Sequence, residues 1–163
     1  MVFDPYINPT GLAGLGASVT LDEVLRAADF LSLHLPLSRE TAGMLDAAHL
    51  ALMQPTAYLI NTARAGVVDE DALFDALQNR RLAGAALDVF WQEPAIAPRW
   101  FTLDNVLLTP HLAGAADDVK VHHSTMILED LRALWTGACP ARIANPQVLS
   151  TTKLSAADKQ EGK

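Results

Sequence analysis

The chain has 163 residues, half of them hydrophobic and 19% charged, which supplies the core of one ordinary domain and excludes disorder over most of its length. The formal net charge is −7 and no basic cluster exceeds Arg80-Arg81, so neither nucleic acid nor an anionic membrane is expected as a partner. The chain has a single cysteine, Cys139, and no apolar run of the roughly 20 residues needed to span a membrane. Its amino terminus has no secretory pattern. These features predict a soluble cytoplasmic protein.

The apolar pattern alternates between short runs typical of strands and longer runs typical of helices. The predicted strands span residues 30–35, 57–62, 85–90 and 106–109. They are nearly continuous in apolar residues, as is typical of parallel strands that are covered on both faces. The predicted helices span residues 21–28, 46–53, 68–80 and 116–135. Strands and helices in this alternation predict βαβ units and a doubly wound parallel sheet of the α/β class.

Several helices carry a signal at one end. Thr20 precedes the first helix and Glu23 follows three residues later, which is the pattern of a capping box. In the third helix the acidic residues come early and Arg80-Arg81 come late, as the helix dipole favours. Gly137 is expected to end the last helix. That helix has an apolar face wide enough to need a partner surface. The face consists of Val119, Met126, Ile127, Leu131 and Leu134.

Polar residues follow three of the predicted strands. Arg64 comes after the second strand, Glu93 after the third and His111 after the fourth. Ligands of open α/β sheets bind beyond the carboxyl ends of the strands, so we expect these three side chains to share one crevice. An arginine can bind a carboxylate through two hydrogen bonds, and a histidine can transfer a proton near neutral pH. A neighbouring carboxylate would fix the tautomer of that histidine and favour its protonated form.

Each of these residues also has an ordinary structural interpretation. Taken alone, Arg64 could be a solvated loop residue, Glu93 a turn residue before Pro94, and His111 a capping or packing histidine. Asp88 is harder to explain in this way, because an acid within an apolar strand must find hydrogen bonds or a ligand.

Linked blocks of sequence resemble the D-isomer-specific 2-hydroxyacid dehydrogenase family, which includes the D-3-phosphoglycerate dehydrogenases. The blocks read ADFLSLHLPL at residues 28–37, NTAR at 61–64, GVVDE at 66–70, LDVF at 87–90, EP at 93–94 and TPH at 109–111. Their order and intervals also match that family, and the similarity extends to RIANP at residues 142–146. The resemblance therefore covers most of the chain.

The resemblance implies a role for each residue of the predicted crevice. Arg64 would hold the substrate carboxylate, His111 would protonate the carbonyl oxygen as a 2-oxoacid is reduced, and Glu93 would keep His111 protonated. NAD would be the cofactor and supply the hydride. The implied cofactor-binding residues are Asp4, Leu35, Pro36, Thr62, Ala63, Arg64, Asp88, His111 and Gly114.

Asp4 is similar to the family's acid that accepts hydrogen bonds from the adenosine ribose, which favours NAD over NADP. Without the resemblance, Asp4-Pro5 is only a turn signal. The family's G-x-G-x-x-G turn would precede such an acid by roughly 20 residues, whereas this chain starts three residues before Asp4. The glycines at residues 11–16 follow that position, and we interpret them as part of a small-residue helix or loop. We therefore expect a Rossmann-like sheet without its first strand and Gly-rich turn, a marginal fold and little or no turnover by this chain.

Other residues attract functional interpretations that the pattern does not favour. His122-His123 are adjacent on a helix and do not have the spacing of a chelating pair, so no metal site is expected. His34 is interpreted as a hydrogen-bonded core histidine, with a cofactor contact as the alternative. Trp91 and Trp100 flank Glu93, and they either cover the site or stabilise the loop by packing.

We expect three segments: a partial NAD-binding domain at residues 1–115, a helix with a return segment towards the substrate domain at 116–150, and a disordered tail at 151–163. The predicted function is an NAD-dependent oxidoreductase that interconverts a D-2-hydroxyacid and its 2-oxoacid, and the resemblance implies a homodimer. The alternatives are an NADH-responsive binding module and a non-catalytic remnant. The sequence does not identify the 2-hydroxyacid.

Overall fold

The computed structural model describes residues 1–7, 12, 14 and 16–151. It divides into two compact units, Met1–Ala113 and a second unit that begins at Gly114. The expectations for the glycines at residues 11–16 and for the polar tail fall largely outside the described residues. The three segments expected from the sequence therefore stay a prediction.

The first unit is built on a four-stranded parallel sheet in the order β1-β2-β3-β4. The strands are β1 (Phe30–Leu33), β2 (Tyr58–Asn61), β3 (Gly84–Leu87) and β4 (Val106–Leu108). The helices are α1 (Leu21–Ala27), α2 (Ala47–Leu50), α3 (Glu70–Gln78) and, in the second unit, α4 (Asp117–Trp135). Short 3-10 segments span Ala65–Val67, Pro98–Thr102 and Pro146–Thr151. The predicted α/β class with a parallel, Rossmann-like sheet is confirmed.

The register aligns the carboxyl ends of the strands. Leu33 pairs with Asn61, Asn61 with Leu87, and Leu87 with Leu108. Every strand ends earlier than the apolar pattern predicted. Polar residues assigned to strand ends, such as Asp88, therefore lie just beyond the sheet. Because the strands are parallel, the residues that follow them emerge at one edge, where α/β folds bind ligands.

One face of the sheet is packed in the core. Leu31, Leu59 and Leu87 point to this face and are 7%, 0% and 1% exposed. The helices contribute buried leucines to the same cluster. They are Leu25, Leu50, Leu73 and Leu77.

The opposite face of the sheet differs from the prediction that both faces are covered. Phe30 and Tyr58 stack there with ring centroids 5.5 Å apart, yet they are 68% and 43% exposed. Leu107 is 66% exposed on that face. The prediction that both alternations are apolar is correct, but Phe30, Tyr58 and Leu107 on this face are exposed.

Local capping explains where the helices begin and end. The capping box of α1 is present, with the Glu23 N–H donating to Thr20 Oγ1 at 3.3 Å and the Thr20 N–H donating to Glu23 at 2.7 Å. Helix α3 begins at Glu70 rather than at residue 68, because the Asp69 carboxylate caps it by accepting the Ala72 N–H at 2.8 Å. It ends at residue 78, before Arg80 adopts a left-handed backbone with φ 54°. Helix α2 is also shorter than predicted.

The second unit contains α4, which starts and ends close to the predicted residues. Gly137 follows it with φ 77°, and its N–H donates to the Leu134 carbonyl at 3.1 Å. No side chain of α4 is buried, and Ile127 and Leu131 of the predicted apolar face are 59% and 55% exposed. Among the helices that the structure describes, none has the length and apolar character needed to cross a membrane.

Candidate active site

Asn61, the last residue of β2, shapes the loop that carries Arg64. Its side chain is fully buried and uses both amide atoms: Oδ1 accepts the Ala63 N–H at 3.0 Å and Nδ2 donates to the Arg64 carbonyl at 3.1 Å. The guanidinium of Arg64 is exposed and donates to the Ala63 carbonyl at 2.6 Å. Asn61 was not among the predicted site residues. Like Asp88, it is a polar residue at the end of an apolar strand and needs hydrogen-bond partners, so the same signal identifies it.

The loops after β1 and β2 enclose an open pocket of about 580 Å³, a size typical of small-molecule sites. It is lined by Leu33, His34, Leu35, Pro36, Leu37, Thr62, Ala63 and Arg64. Five of the residues predicted to bind the cofactor therefore line one cavity. The interpretation of His34 as a core residue is wrong, because β1 ends at Leu33 and the imidazole is exposed, with Nε2 2.8 Å from Ser32 Oγ.

A larger pocket of about 670 Å³ lies beside the first turns of α2 and α3. It is lined by small residues and by four aspartates: Asp46, Asp69, Asp71 and Asp75. Two of these carboxylates cap helices and two pair with arginines, so each has a structural explanation. Because a dinucleotide is anionic, this acidic pocket is the poorer candidate for its site.

Asp88, directly after β3, fixes the loop that follows β4. Its carboxylate accepts hydrogen bonds from the Thr109 hydroxyl at 2.6 Å, the Leu112 N–H at 2.7 Å and the Ala113 N–H at 2.9 Å. Burial favours the neutral acid, but these three bonds outweigh it and hold the pKa of Asp88 below its ordinary value. The predicted need for hydrogen bonds is met within the protein. A contact of Asp88 with the cofactor stays a prediction.

His111 lies within the loop that Asp88 holds and has a left-handed backbone with φ 55°. Its Nδ1 is 3.0 Å from Glu93 Oε2. The other Glu93 oxygen accepts the Phe90 N–H at 3.0 Å. The hydrogen bond from His111 and the Phe90 N–H lower the pKa of Glu93, and the positive charge of Arg64 acts in the same direction. Glu93 is therefore ionised at neutral pH and can only accept, so Nδ1 carries the shared hydrogen.

The opposite ring nitrogen of His111, Nε2, has no hydrogen-bond partner among the described residues, and about half of the side chain is exposed. This geometry can present a proton to a bound molecule while a carboxylate fixes the ring from behind. Arg64 is near enough for its charge to influence Glu93. The structure thus brings the three predicted catalytic residues to one edge of the sheet, although their roles stay predictions.

Two further residues, Asp4 and Gly114, were predicted to contact the cofactor. Asp4 is exposed, and its carboxylate accepts the Tyr6 N–H at 2.9 Å, which is the geometry of the turn signal noted in the sequence. Val2, just before it, forms an isolated parallel bridge with Ser18. Gly114 belongs to the second unit. The cofactor contacts of Asp4 and Gly114 therefore stay predictions.

Comparisons with known proteins show the family to which the chain is similar. The chain is 40% identical over 145 residues to a D-3-phosphoglycerate dehydrogenase of Synechocystis sp., covering 88% of this chain and 26% of that relative. It is 41% identical over 140 residues to a glyoxylate reductase of Thermococcus onnurineus, covering 85% of this chain and 42% of that relative. The chain thus spans less than half the length of these curated relatives.

Solved structures give the same result. The crystal structure of a D-isomer specific 2-hydroxyacid dehydrogenase from Lactobacillus delbrueckii ssp. bulgaricus, in its NAD-complexed form, superposes with a TM-score of 0.78 at 32% identity. The match covers 88% of this chain and 47% of that one. A family model described as D-isomer specific 2-hydroxyacid dehydrogenase, NAD binding domain, matches residues 1–113. NAD is therefore confirmed as the cofactor of the family, and the chain belongs to the NAD-binding domain family of the D-isomer specific 2-hydroxyacid dehydrogenases.

Proposed function

We propose that this chain carries the proton-transfer and substrate-anchoring residues of an NAD-dependent oxidoreductase that interconverts a D-2-hydroxyacid and its 2-oxoacid. The observation that carries the proposal is the 3.0 Å contact between His111 Nδ1 and Glu93 Oε2, on loops that emerge at the same sheet edge as Arg64. A neutral histidine that only packs does not need an ionised partner. A histidine that acts as an acid catalyst needs one, because the carboxylate stabilises its protonated form.

The residues act together in the following way. His111 holds a proton on Nε2 and donates it to the carbonyl oxygen of the 2-oxoacid; in the reverse direction Nε2 accepts the hydroxyl proton. Glu93 orients the imidazole through Nδ1 and balances its charge. Arg64 binds the substrate carboxylate with its guanidinium fork; one of its terminal nitrogens donates to the Ala63 carbonyl in this structure.

The pocket beside Arg64 fits a nicotinamide cofactor by its chemistry. Its wall is apolar along Leu35 and Pro36, and Thr62 and Arg64 add a hydroxyl group and a guanidinium to its lining. An apolar pocket with a few polar groups is the usual setting for a planar aromatic ring. NAD supplies or accepts the hydride when it is bound. We propose that Asp4 selects NAD over NADP, because its carboxylate would repel a 2′-phosphate.

Titration of the purified chain with NADH, followed by nicotinamide fluorescence and by energy transfer from tryptophan, tests the cofactor assignment. We expect saturable binding that weakens in Asp4→Ala. Binding should stay unchanged in Asp104→Ala, which removes an exposed aspartate paired with Arg80. A folded chain that shows no binding at high NADH concentration would contradict the assignment.

Measurement of turnover tests the role of His111 as the acid catalyst. Glyoxylate, pyruvate and hydroxypyruvate are assayed with NADH at high protein concentration. We expect slow reduction that is lost in His111→Gln even at NADH concentrations that saturate the variant, because glutamine keeps a polar side chain but cannot transfer the proton. Undiminished turnover in His111→Gln would refute the role of His111.

We also propose a homodimer located in the cytoplasm. The resemblance supports the dimer, and a single free cysteine supports a reducing compartment. Analytical ultracentrifugation over a range of concentrations tests the dimer, and a sedimentation coefficient of a monomer throughout would contradict it.

A further inference from the structure

The loop between β3 and β4 is attached to helix α3 by an aromatic and ionic cluster, which we call the loop anchor. The loop anchor consists of Trp91, Arg99 and Trp100 on the loop and of Glu70, Asp71 and Phe74 on α3. The sequence left open whether the tryptophans cover the site or pack for stability. Their rings contact each other and Phe74 of α3, and their indole N–H groups donate to Glu70 and to the Val68 carbonyl just before α3, so they pack.

The two tryptophans form the centre of the loop anchor. Their rings stack at 5.5 Å with an interplanar angle of 4°. Trp100 is 1% exposed and meets the edge of Phe74 at 5.6 Å. Each indole N–H is satisfied: Trp91 donates to the Val68 carbonyl at 2.9 Å and Trp100 to Glu70 at 3.3 Å. Buried aromatic pairs with satisfied polar atoms fix a loop more firmly than exposed contacts do.

Arg99 joins this centre to the start of α3. Its guanidinium contacts Glu70 at 2.8 Å and Asp71 at 2.6 Å, and it lies 5.0 Å from the centre of the Phe74 ring. Hydrogen bonds to Asp71 and Glu70 raise the pKa of Arg99. The side chain is 34% exposed, whereas that of Arg81, which pairs with Asp75 farther along α3, is 55% exposed and contacts no aromatic ring in the described part of the chain.

The loop anchor lies on both sides of Glu93 in the sequence. Trp91 comes two residues before Glu93 and Trp100 seven residues after it. Residues 92–95 between them are exposed, so they have no packed side chain that could fix their position. Glu93 nevertheless reaches both the Phe90 N–H and His111 at 3.0 Å. The backbone around Glu93 is therefore held by the residues that flank this exposed stretch, which are Trp91 before it and Ile96, Ala97 and Trp100 after it.

We propose that Trp91, Arg99 and Trp100 are positioning residues that hold Glu93 in hydrogen-bond contact with His111. They transmit the position of α3 to the candidate active site without touching substrate or cofactor. The proposal deepens the proposed function and rests on it for its catalytic meaning. The contact itself can be measured without substrate or NAD.

The experiment follows the carboxyl carbon of Glu93 by NMR during a pH titration of the full chain labelled at glutamate, with Glu93→Gln identifying the signal. His111 and Arg64 are the charged groups that act on this carboxylate. The His111→Gln variant gives the titration midpoint of Glu93 without its partner. We expect Arg99→Met and Trp91→Leu to raise the midpoint towards that of His111→Gln, and Trp91→Phe, which retains a ring, to raise it less.

Arg81→Met is the matched control, because it removes an exposed ion pair of α3 that does not belong to the loop anchor. Its Glu93 titration should equal that of the unmodified chain. Thermal unfolding shows which variants fold; should Trp91→Leu unfold, Arg99→Met decides, because it leaves both indole rings in place. An unchanged Glu93 midpoint in a folded Arg99→Met chain would overturn the proposal. That outcome would leave the proposed function intact, and a failure to bind NADH would leave this titration unaffected.

Discussion

Asp88 fixes the loop that carries His111, the proposed acid catalyst. Substitution of Asp88 therefore tests how firmly this loop is held. Asp88→Asn preserves the shape of the side chain but replaces one carboxylate oxygen by an amide nitrogen. With the amide oxygen at the Oδ1 position, the bonds from Thr109 and Leu112 persist. The amide nitrogen then faces the Ala113 N–H, donor against donor.

The magnitude follows from the three hydrogen bonds. A bond to a charged group contributes about 1.5–3 kcal/mol, and the two retained bonds weaken by about 1 kcal/mol each when their acceptor becomes neutral. Relief of the buried charge offsets part of this loss. We therefore expect Asp88→Asn to lower the free energy of unfolding by about 3 kcal/mol at pH 7, which is roughly a 10 °C fall in melting temperature for a chain of this size.

Urea unfolding followed by tryptophan fluorescence measures this difference, and its pH dependence gives a second criterion. The pKa of Asp88 is lowered in the folded chain, so its stabilising contribution is complete above the ordinary carboxyl range near about pH 4. It is lost as the pH falls through the lower value of the folded state. The difference in the free energy of unfolding between the unmodified chain and Asp88→Asn should therefore become smaller below about pH 4. A decrease in the free energy of unfolding of less than about 1 kcal/mol at pH 7 would refute the reasoning. A difference between the two chains that does not change with pH would also refute it.

Three further substitutions test the fold around the site. A methyl group at Gly84 would lie 2.6 Å from the Asn105 carbonyl oxygen, so Gly84→Ala should cost about 1–3 kcal/mol in urea unfolding, and a neutral result would contradict the packing of β3. Thr20→Ala removes the capping box of α1 and should cost about 1 kcal/mol in the same assay, whereas Thr20→Ser should keep most of that stability. Asn61→Asp cannot donate to the Arg64 carbonyl and should cost about 2 kcal/mol; an unchanged unfolding midpoint would show that the buried amide is dispensable.

The elements that depend on local signals were predictable. The capping box at Thr20 and the glycine at position 137 lie within a few residues of the helix ends that they define. The start of α3 was placed two residues too early because Val68 continues the apolar period. In the structure Val68 instead forms a parallel bridge with Leu45, a distant pairing that no local pattern contains.

The same distinction applies to the site. The motifs brought Arg64, Glu93 and His111 to attention, and parallel topology explained why they emerge at one edge. The partners of Asp88 could not be read from the sequence, because they lie 21 to 25 residues away and include two backbone N–H groups. The loop anchor was equally hidden, since Arg99 reaches Asp71 across 28 residues.

The left-handed backbone of His111 has a consequence for how substitutions at this position would be selected. Side chains other than glycine are uncommon at φ 55°, and the conformation costs about 1–2 kcal/mol. Asparagine, aspartate and histidine tolerate this region better than other side chains do, but only glycine adopts it without cost, so a library of all residues at position 111, sorted only for a folded chain, should be enriched in glycine. The same library sorted for turnover should retain histidine. Selection for stability and selection for activity therefore favour different residues at position 111. In a related chain, glycine at this position would indicate selection for stability, and histidine would indicate selection for activity.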